Sequence, residues 1–226
     1  MATRSSLIET RPPHVGIRRS VRRGGYFPAV LVVVLASLGA ATAPNASAFG
    51  SVLPCTSRDS SAVFSRWLDP AQYFLASNGG FEQGAQDWSL SAGAAVVSGN
   101  ESYQVGGPSD SHSLVLDAGA SVESRTACVT MGEPTVRLFV KAPSVLGAVL
   151  RVDATVQNPT TGVPLTTTYL VVGGLAPAGW APTPEILIPN LVGGVLPENL
   201  TLRITAQGTP ATWAADDIYV DPFKSH

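Results

Sequence analysis

AVLRVDATVQ, residues 148–157, alternates apolar and polar along its length. Leu150, Val152, Ala154 and Val156 fall on one side, and Arg151, Asp153, Thr155 and Gln157 on the other. A period of two is the signature of a β-strand with one buried and one solvated face. The pattern recurs in both directions along the chain. TVRLFVKA (135–142) sets Val136, Leu138 and Val140 against Arg137, Phe139 and Lys141. NLTLRITAQ (199–207) sets Leu200, Leu202, Ile204 and Ala206 against Thr201, Arg203, Thr205 and Gln207. DWSLS, AAVVS, SLVLD, SVESRTACV, TTTYLVV, EILIP and DDIYVD are further strand-length runs between Gly, Pro, Asn and Ser punctuation. No amphipathic helix of useful length follows residue 70. The expected fold is all-β, an antiparallel two-sheet β-sandwich with one polar face per sheet.

The first 48 residues do not belong to that domain. Six arginines and a single acid, Glu9, occupy residues 1–25; an uncharged run from Tyr26 to Ala43 and the small-residue site Ala46–Ala48 follow. A basic region, an apolar core and a small-x-small site describe a secretory signal peptide cleaved after Ala48. The alternative is a retained membrane anchor, for which the apolar run falls short of about 20 residues. RRSVRRGG lacks the rest of a twin-arginine export motif, and Pro54 argues against a lipid-modified Cys55, so the general secretory route is expected. The remaining chain, 49–226, keeps 8 basic and 15 acidic residues, a formal charge of −7. An acidic surface repels phosphate backbones, which excludes nucleic acid as a partner class. Twelve arginines against two lysines, with abundant Ala, Gly and Val, suggest a GC-rich bacterial coding sequence.

Cys55 and Cys128 both lie beyond the signal. Two lone cysteines this far apart make a poor metal site, and outside the cell they persist as a disulfide; two buried thiols are the alternative. A bridge would pin an N-terminal arm, residues 49–71, to a domain spanning 72–226. In the arm, Val63, Phe64, Trp67 and Leu68 have helical spacing for a turn or two before Pro70 stops it, and QYFLA reads as a first strand.

NGGFEQGAQDW (78–88), SHSLVL, TVRLFVKA, the Gly179-Trp180 pair and a terminal WAADDIYVDP occur in that order. Residues 72–222 thereby resemble carbohydrate-binding modules of the family 4 and 9 type, which are galactose-binding-like jelly rolls. The resemblance implies a jelly-roll sandwich, a glycan ligand, and core positions for Trp88, Trp180 and Trp213. It also implies a structural Ca2+ between the first and last strands. Carried over residue by residue, its ligands are Glu82, Asp110 and Asp216 or Asp217, with backbone carbonyls near Gly80 or His112. Adjacent acids repel unless something neutralises one of them, and a hard cation would do so. The alternative is that these acids cap turns or pair with Arg125 or Arg203.

A sugar site needs flat apolar rings and planar polar groups. The outward faces of the alternating strands offer Phe139, Arg151, Asp153, Gln157 and Arg203, with Tyr169 beside them. Phe139 stands out as a large aromatic on the polar side, unless a loop or the arm covers it. No G-x-S-x-G, H-E-x-x-H or phosphate loop occurs, and beyond the signal only His112 and His226 are histidines. His112 is expected at a turn or strand end. The expectation is therefore a secreted, non-catalytic module for an extracellular polysaccharide or cell-wall glycan, with no stable membrane insertion once the signal is removed. The alternative is a structural or adhesive cell-surface protein without a sugar site, which predicts that Phe139 and Tyr169 are covered.

Overall fold

The computed structural model describes Cys55 and residues 58–130, 132–157, 161–177, 179–189 and 197–221. Residues 1–48, expected as the signal peptide, lie outside the described residues, as does His226. Among the described residues no helix is long and apolar enough to cross a membrane.

Thirteen strands run in chain order among the described residues: β1 (Phe74–Leu75), β2 (Trp88–Leu90), β3 (Ala94–Ser98), β4 (His112–Leu116), β5 (Ser121–Ser124), β6 (Ala127–Val129), β7 (Thr135–Lys141), β8 (Ala148–Gln157), β9 (Pro164–Val172), β10 (Trp180–Pro182), β11 (Ile186–Leu187), β12 (Glu198–Gly208) and β13 (Trp213–Val220). They form two antiparallel sheets. One runs β10-β7-β13-β4-β3, with β1 on β13 and β11 on β7; the other runs β2-β5-β12-β8-β9, with β6 on β12. The expected sandwich is thus found. SVESRTACV is two strands rather than one, broken where the Arg125 N–H turns away to the Asp87 carbonyl at 2.6 Å.

Alternation decides which side chains meet between the sheets. Leu150, Val152, Ala154 and Val156 of β8 and Leu200, Leu202, Ile204 and Ala206 of β12 are all buried in the main core with Leu138, Trp213 and Ile218. In β12 the burial alternates as the pattern requires, whereas β7 is buried on both faces from Thr135 to Val140. The cause is the arm. Ser61 and Tyr73 form an isolated antiparallel bridge, and Ser65–Trp67 make one 3-10 turn closed by Leu68 in the left-handed region at φ 65°. That turn lays Phe64 over the outer face of the seven-stranded sheet, where Phe64, Tyr73, Phe139 and Tyr219 form a second buried cluster.

Arg137, also on that outer face, is held under the arm. It pairs with Asp69 at 2.5 Å, donates from Nε to the Thr183 carbonyl at 2.9 Å, and lies 4.2 Å from the Phe64 ring centroid. The Tyr73 hydroxyl donates to Asp69 at 2.7 Å, so the buried pair is enclosed by partners. Cys55 and Cys128 are joined, with Cα atoms 5.5 Å apart, which fastens the arm to β6 as expected.

Candidate functional site

The expected sugar-binding set does not form one surface. Phe139 is fully buried, stacked on Phe64 with ring centroids 5.5 Å apart. It belongs to the seven-stranded sheet, while Arg151, Asp153, Gln157 and Arg203 stand on the six-stranded one. Tyr169 is also misassigned as an outward residue. It pairs with Val152 across β9 and β8, which turns its side chain into the main core with Val152. The two corrections have different origins: the arm covers the outer face of β7 at Phe139, whereas at Tyr169 the pairing with Val152 sets the inner face.

The four remaining residues share the outer face of the six-stranded sheet. Register places Ser89, Glu123, Arg203, Asp153 and Thr168 side by side on β2, β5, β12, β8 and β9. Arg151 Nε donates to Asp153 at 2.8 Å, Thr168 donates to Asp153 at 2.6 Å, and Arg203 lies 3.8 Å from Glu123. Thr155 and Thr166 form a hydroxyl pair one row away, and Gln157 reaches the Gly162 carbonyl at 3.4 Å. The row contains hydroxyls and mutually paired charges and no aromatic ring.

Aromatic surface is found instead where the arm meets the loop between β3 and β4. Trp67 stands edge-on to Tyr103 at 4.8 Å, and the Tyr103 hydroxyl donates to the Trp180 carbonyl at 3.1 Å. Arg66 lies 5.2 Å over the Tyr103 ring. Trp67, Tyr103 and Trp180 are half-buried, their inner sides resting on the Phe64–Phe139 cluster. Trp180 thus belongs to this outer cluster, whereas Trp88 and Trp213 are in the main core as expected. The sequence placed Trp67 in the arm at helical spacing; nothing in that spacing announced Tyr103 as a neighbour.

The predicted cation ligands are brought into one region. A cavity of about 300 Å³ is lined by Gly80, Glu82, Gly106, Asp110 and Asp217, among others. A register shift between Asp216 and Tyr219 interrupts β13, and Asp217 takes φ 47°, a left-handed conformation that Asp tolerates. The bulge sends the two acids to different partners. Asp216 accepts the Glu101 N–H at 3.0 Å and the Asp217 N–H at 2.9 Å. Asp217, fully buried, has no hydrogen bond to either carboxylate oxygen, and Asp110 Oδ2 has none either. Glu82 accepts N–H groups from Ser111 at 2.8 Å and His112 at 2.7 Å, so it caps the start of β4. His112 begins that strand and turns its Nδ1 to Glu82 at 3.2 Å.

Glycine makes room for this cluster. A Cβ on Gly80 would sit 3.3 Å from Asp217 Oδ1 and 3.4 Å from Asp110 Oδ1, and one on Gly106 would overlap Asp110 Oδ2. One point, the Cβ position of Gly80, therefore lies within 3.4 Å of a carboxylate oxygen from each of Asp217 and Asp110. Burial, then the charges of Asp110 and Glu101, pushes Asp217 up to about 8, with the nearby Gly106 N–H offsetting part of the rise. Burial and then Asp217 push Asp216 up to about 9. Burial and Glu82 push Asp110 up to about 6, whereas Glu82, despite its burial, is held below the usual range by Ser111 and His112.

Orphaned buried carboxylates facing a shared point fit a hard cation with oxygen ligands. The fit is incomplete in ligand count: among the described residues no three His, Cys, Asp or Glu side chains are arranged to hold a metal ion. Glu101 is the acid the sequence reading missed. It accepts N–H groups from Tyr103 and, at 2.7 Å, from Val105, and so shapes the loop that carries Tyr103.

No family model and no curated protein matches this sequence. Among solved structures, the chain is similar to the TmCBM61 module in complex with β-1,4-galactotriose: 18% identity, 66% of this chain and 97% of that one covered, TM-score 0.42. It is similar to a non-crystalline-cellulose-specific module, CBM28, at 14% identity, covering 65% of this chain and 94% of that one, TM-score 0.44. It is also similar to a family 11 carbohydrate-binding module from Clostridium thermocellum at 14% identity, covering 68% and 98%, TM-score 0.40. The likeness extends over several such families and does not single out the family 4 and 9 type. At these values it adds nothing to what the two sheets already establish.

Proposed function

We propose that this chain is an extracellular, non-catalytic β-sandwich module that binds a carbohydrate through the rings gathered where the arm meets the β3–β4 loop and β10. The carrying observation is the Trp67–Tyr103 pair, rings at right angles 4.8 Å apart, with Trp180 beside it. Pyranose C–H faces pack against aromatic rings, and rings backed by a buried cluster are already ordered before a ligand arrives. A bound Ca2+ would be structural, held by Asp110 and Asp217 with Glu82 alongside, and would neutralise the buried acids that join β13 to the loop before β4. The non-catalytic reading is supported by the environment of the acids. Asp217 is fully buried, and His112 is engaged by Glu82.

The test is retention of the full chain on a panel of soluble and insoluble polysaccharides, with Trp67→Ala alongside. Retention on at least one glycan, weakened tenfold or more by Trp67→Ala, is expected; no retention on any of them would end this reading. One observation favours the alternative of a structural or adhesive surface protein: Phe139 and Tyr169 are both covered, as that reading requires. It predicts an empty panel and an arm needed for stability alone.

A further inference from the structure

A second cavity, about 390 Å³ in volume, opens at the edge of the sandwich between β1 and β13 on one side and β5, β6 and β12 on the other. Its apolar floor includes Phe74, Leu202 and Val220. Among the described residues no Asp or Glu lines it, although the chain as a whole is acidic, and the two charged described residues on its wall are Arg58 and Arg125. Leu75 lines both this cavity and the acid-lined one, so two pockets of opposite electrostatic character flank one side chain.

Arg58 is held in a defined pose. Its guanidinium carbon lies 4.2 Å from the Phe74 ring centroid, and Nη2 donates to the Cys128 carbonyl at 2.9 Å. That is its one hydrogen bond among the described residues, which leaves most of its five N–H donors for another acceptor. Burial lowers its pKa, an effect opposed by Glu133, so the charge is partly desolvated. The adjoining disulfide fixes the carbonyl that orients it. Arg125 is exposed and shares its charge with Asp87 at 3.4 Å.

A planar guanidinium stacked on an aromatic and short of acceptors matches a planar carboxylate, which it grips with two parallel N–H bonds. An apolar floor beside it suits the C–H face of a sugar ring, and the volume lies within the range of small-molecule sites. We propose that this cavity binds the carboxylate of a uronic acid residue, with Arg58 as the paired donor and Arg125 as a second charge on the cavity wall. This inference rests on the carbohydrate reading and names a substrate class for it, at a site separate from the Trp67 rings.

The experiment is calorimetric titration of the full chain with trigalacturonate and with its methyl ester, each in the absence and in the presence of chelator. The acid form is expected to bind at least tenfold more tightly than the ester. Arg58→Lys should weaken it about tenfold, because a point charge cannot form the bidentate pair. Arg125→Ala, on an exposed side chain, should weaken it two- to fivefold with an unchanged melting temperature. Equal binding of acid and ester, no binding of the acid, or indifference to both substitutions would overturn the proposal. Binding abolished by chelator would assign the carboxylate to a bridging calcium and overturn it too. If neutral glycans are retained through Trp67 while trigalacturonate is not bound, this proposal falls and the general reading stands. If nothing binds, both fall.

Discussion

Phe64 of the arm lies almost parallel to Phe139 of β7, ring centroids 5.5 Å apart and planes 16° from parallel. Both rings are fully buried. The arm is therefore part of the folded unit, and Phe64→Ala should cost about 3–5 kcal/mol, the range for removing a buried phenylalanine. Denaturant unfolding of the variant measures this; a loss under 1 kcal/mol would show that the arm is only loosely seated.

Asp69 and Arg137 make the second attachment of the arm, both largely buried. Asp69→Ala leaves a guanidinium under the arm with its counter-charge removed, which should destabilise by about 3–5 kcal/mol. The double variant Asp69→Ala, Arg137→Met should recover part of that loss. A double variant no better than the single one would contradict the desolvation argument.

The Cys55–Cys128 bridge closes a loop with a sequence separation of 73. On the chain-entropy account its removal by paired Cys→Ser substitution should lower stability by about 4 kcal/mol. Thermal unfolding under oxidising and reducing conditions provides the comparison. Identical curves in dithiothreitol would count against this figure.

The acid cluster predicts an unusual dependence on pH. Asp217 and Asp216 are raised by burial to about 8 and about 9, against about 3.9 for a free aspartate. A raised carboxyl binds its proton more tightly when folded. Its contribution is complete below the unfolded value and is lost as pH climbs through the folded one. Without a cation, stability should therefore fall between about pH 4 and 9 by this contribution. Calcium should reverse the fall and raise the melting temperature at pH 8, and at about 100 times its dissociation constant would add about 2.7 kcal/mol. Asp217→Asn should flatten the pH profile and remove the calcium response. A chelator-insensitive melting temperature at pH 8 would eliminate the metal while leaving the pH slope intact.

The two sheets could be read from period-two patterning because β8 and β12 each have one face on the core and one in water. The pattern could not foresee that β7 is covered twice. Phe139 looked like an outward aromatic, and only the path of Phe64 and Tyr73 reveals it as interior. Tyr169 shows the converse: alternation assigns a face only relative to neighbours, and pairing with Val152 decides which one. The acids were legible as a group because the family resemblance assigns motif positions to Glu82, Asp110 and the Asp216–Asp217 pair. Their division of labour was not, since a register shift and a positive φ redirect Asp217 away from Asp216. The Trp67–Tyr103–Trp180 group joins the arm, a loop and β10, and no local sequence signal links three such distant segments.

The disulfide has a mechanical consequence. Cys128 sits in β6, which is hydrogen-bonded to β12 through Asn199 and its neighbours in the six-stranded sheet. The rings of the arm, by contrast, rest on the seven-stranded sheet. Tension entering the chain ahead of Cys55 would pass through the sulfur–sulfur bond directly into β6 and β12. The segment from Arg58 to Tyr73 would carry none of that load, and the aromatic contacts would not be peeled ring by ring. Reduction would reroute the force onto the arm and make its stacked rings the first element to yield.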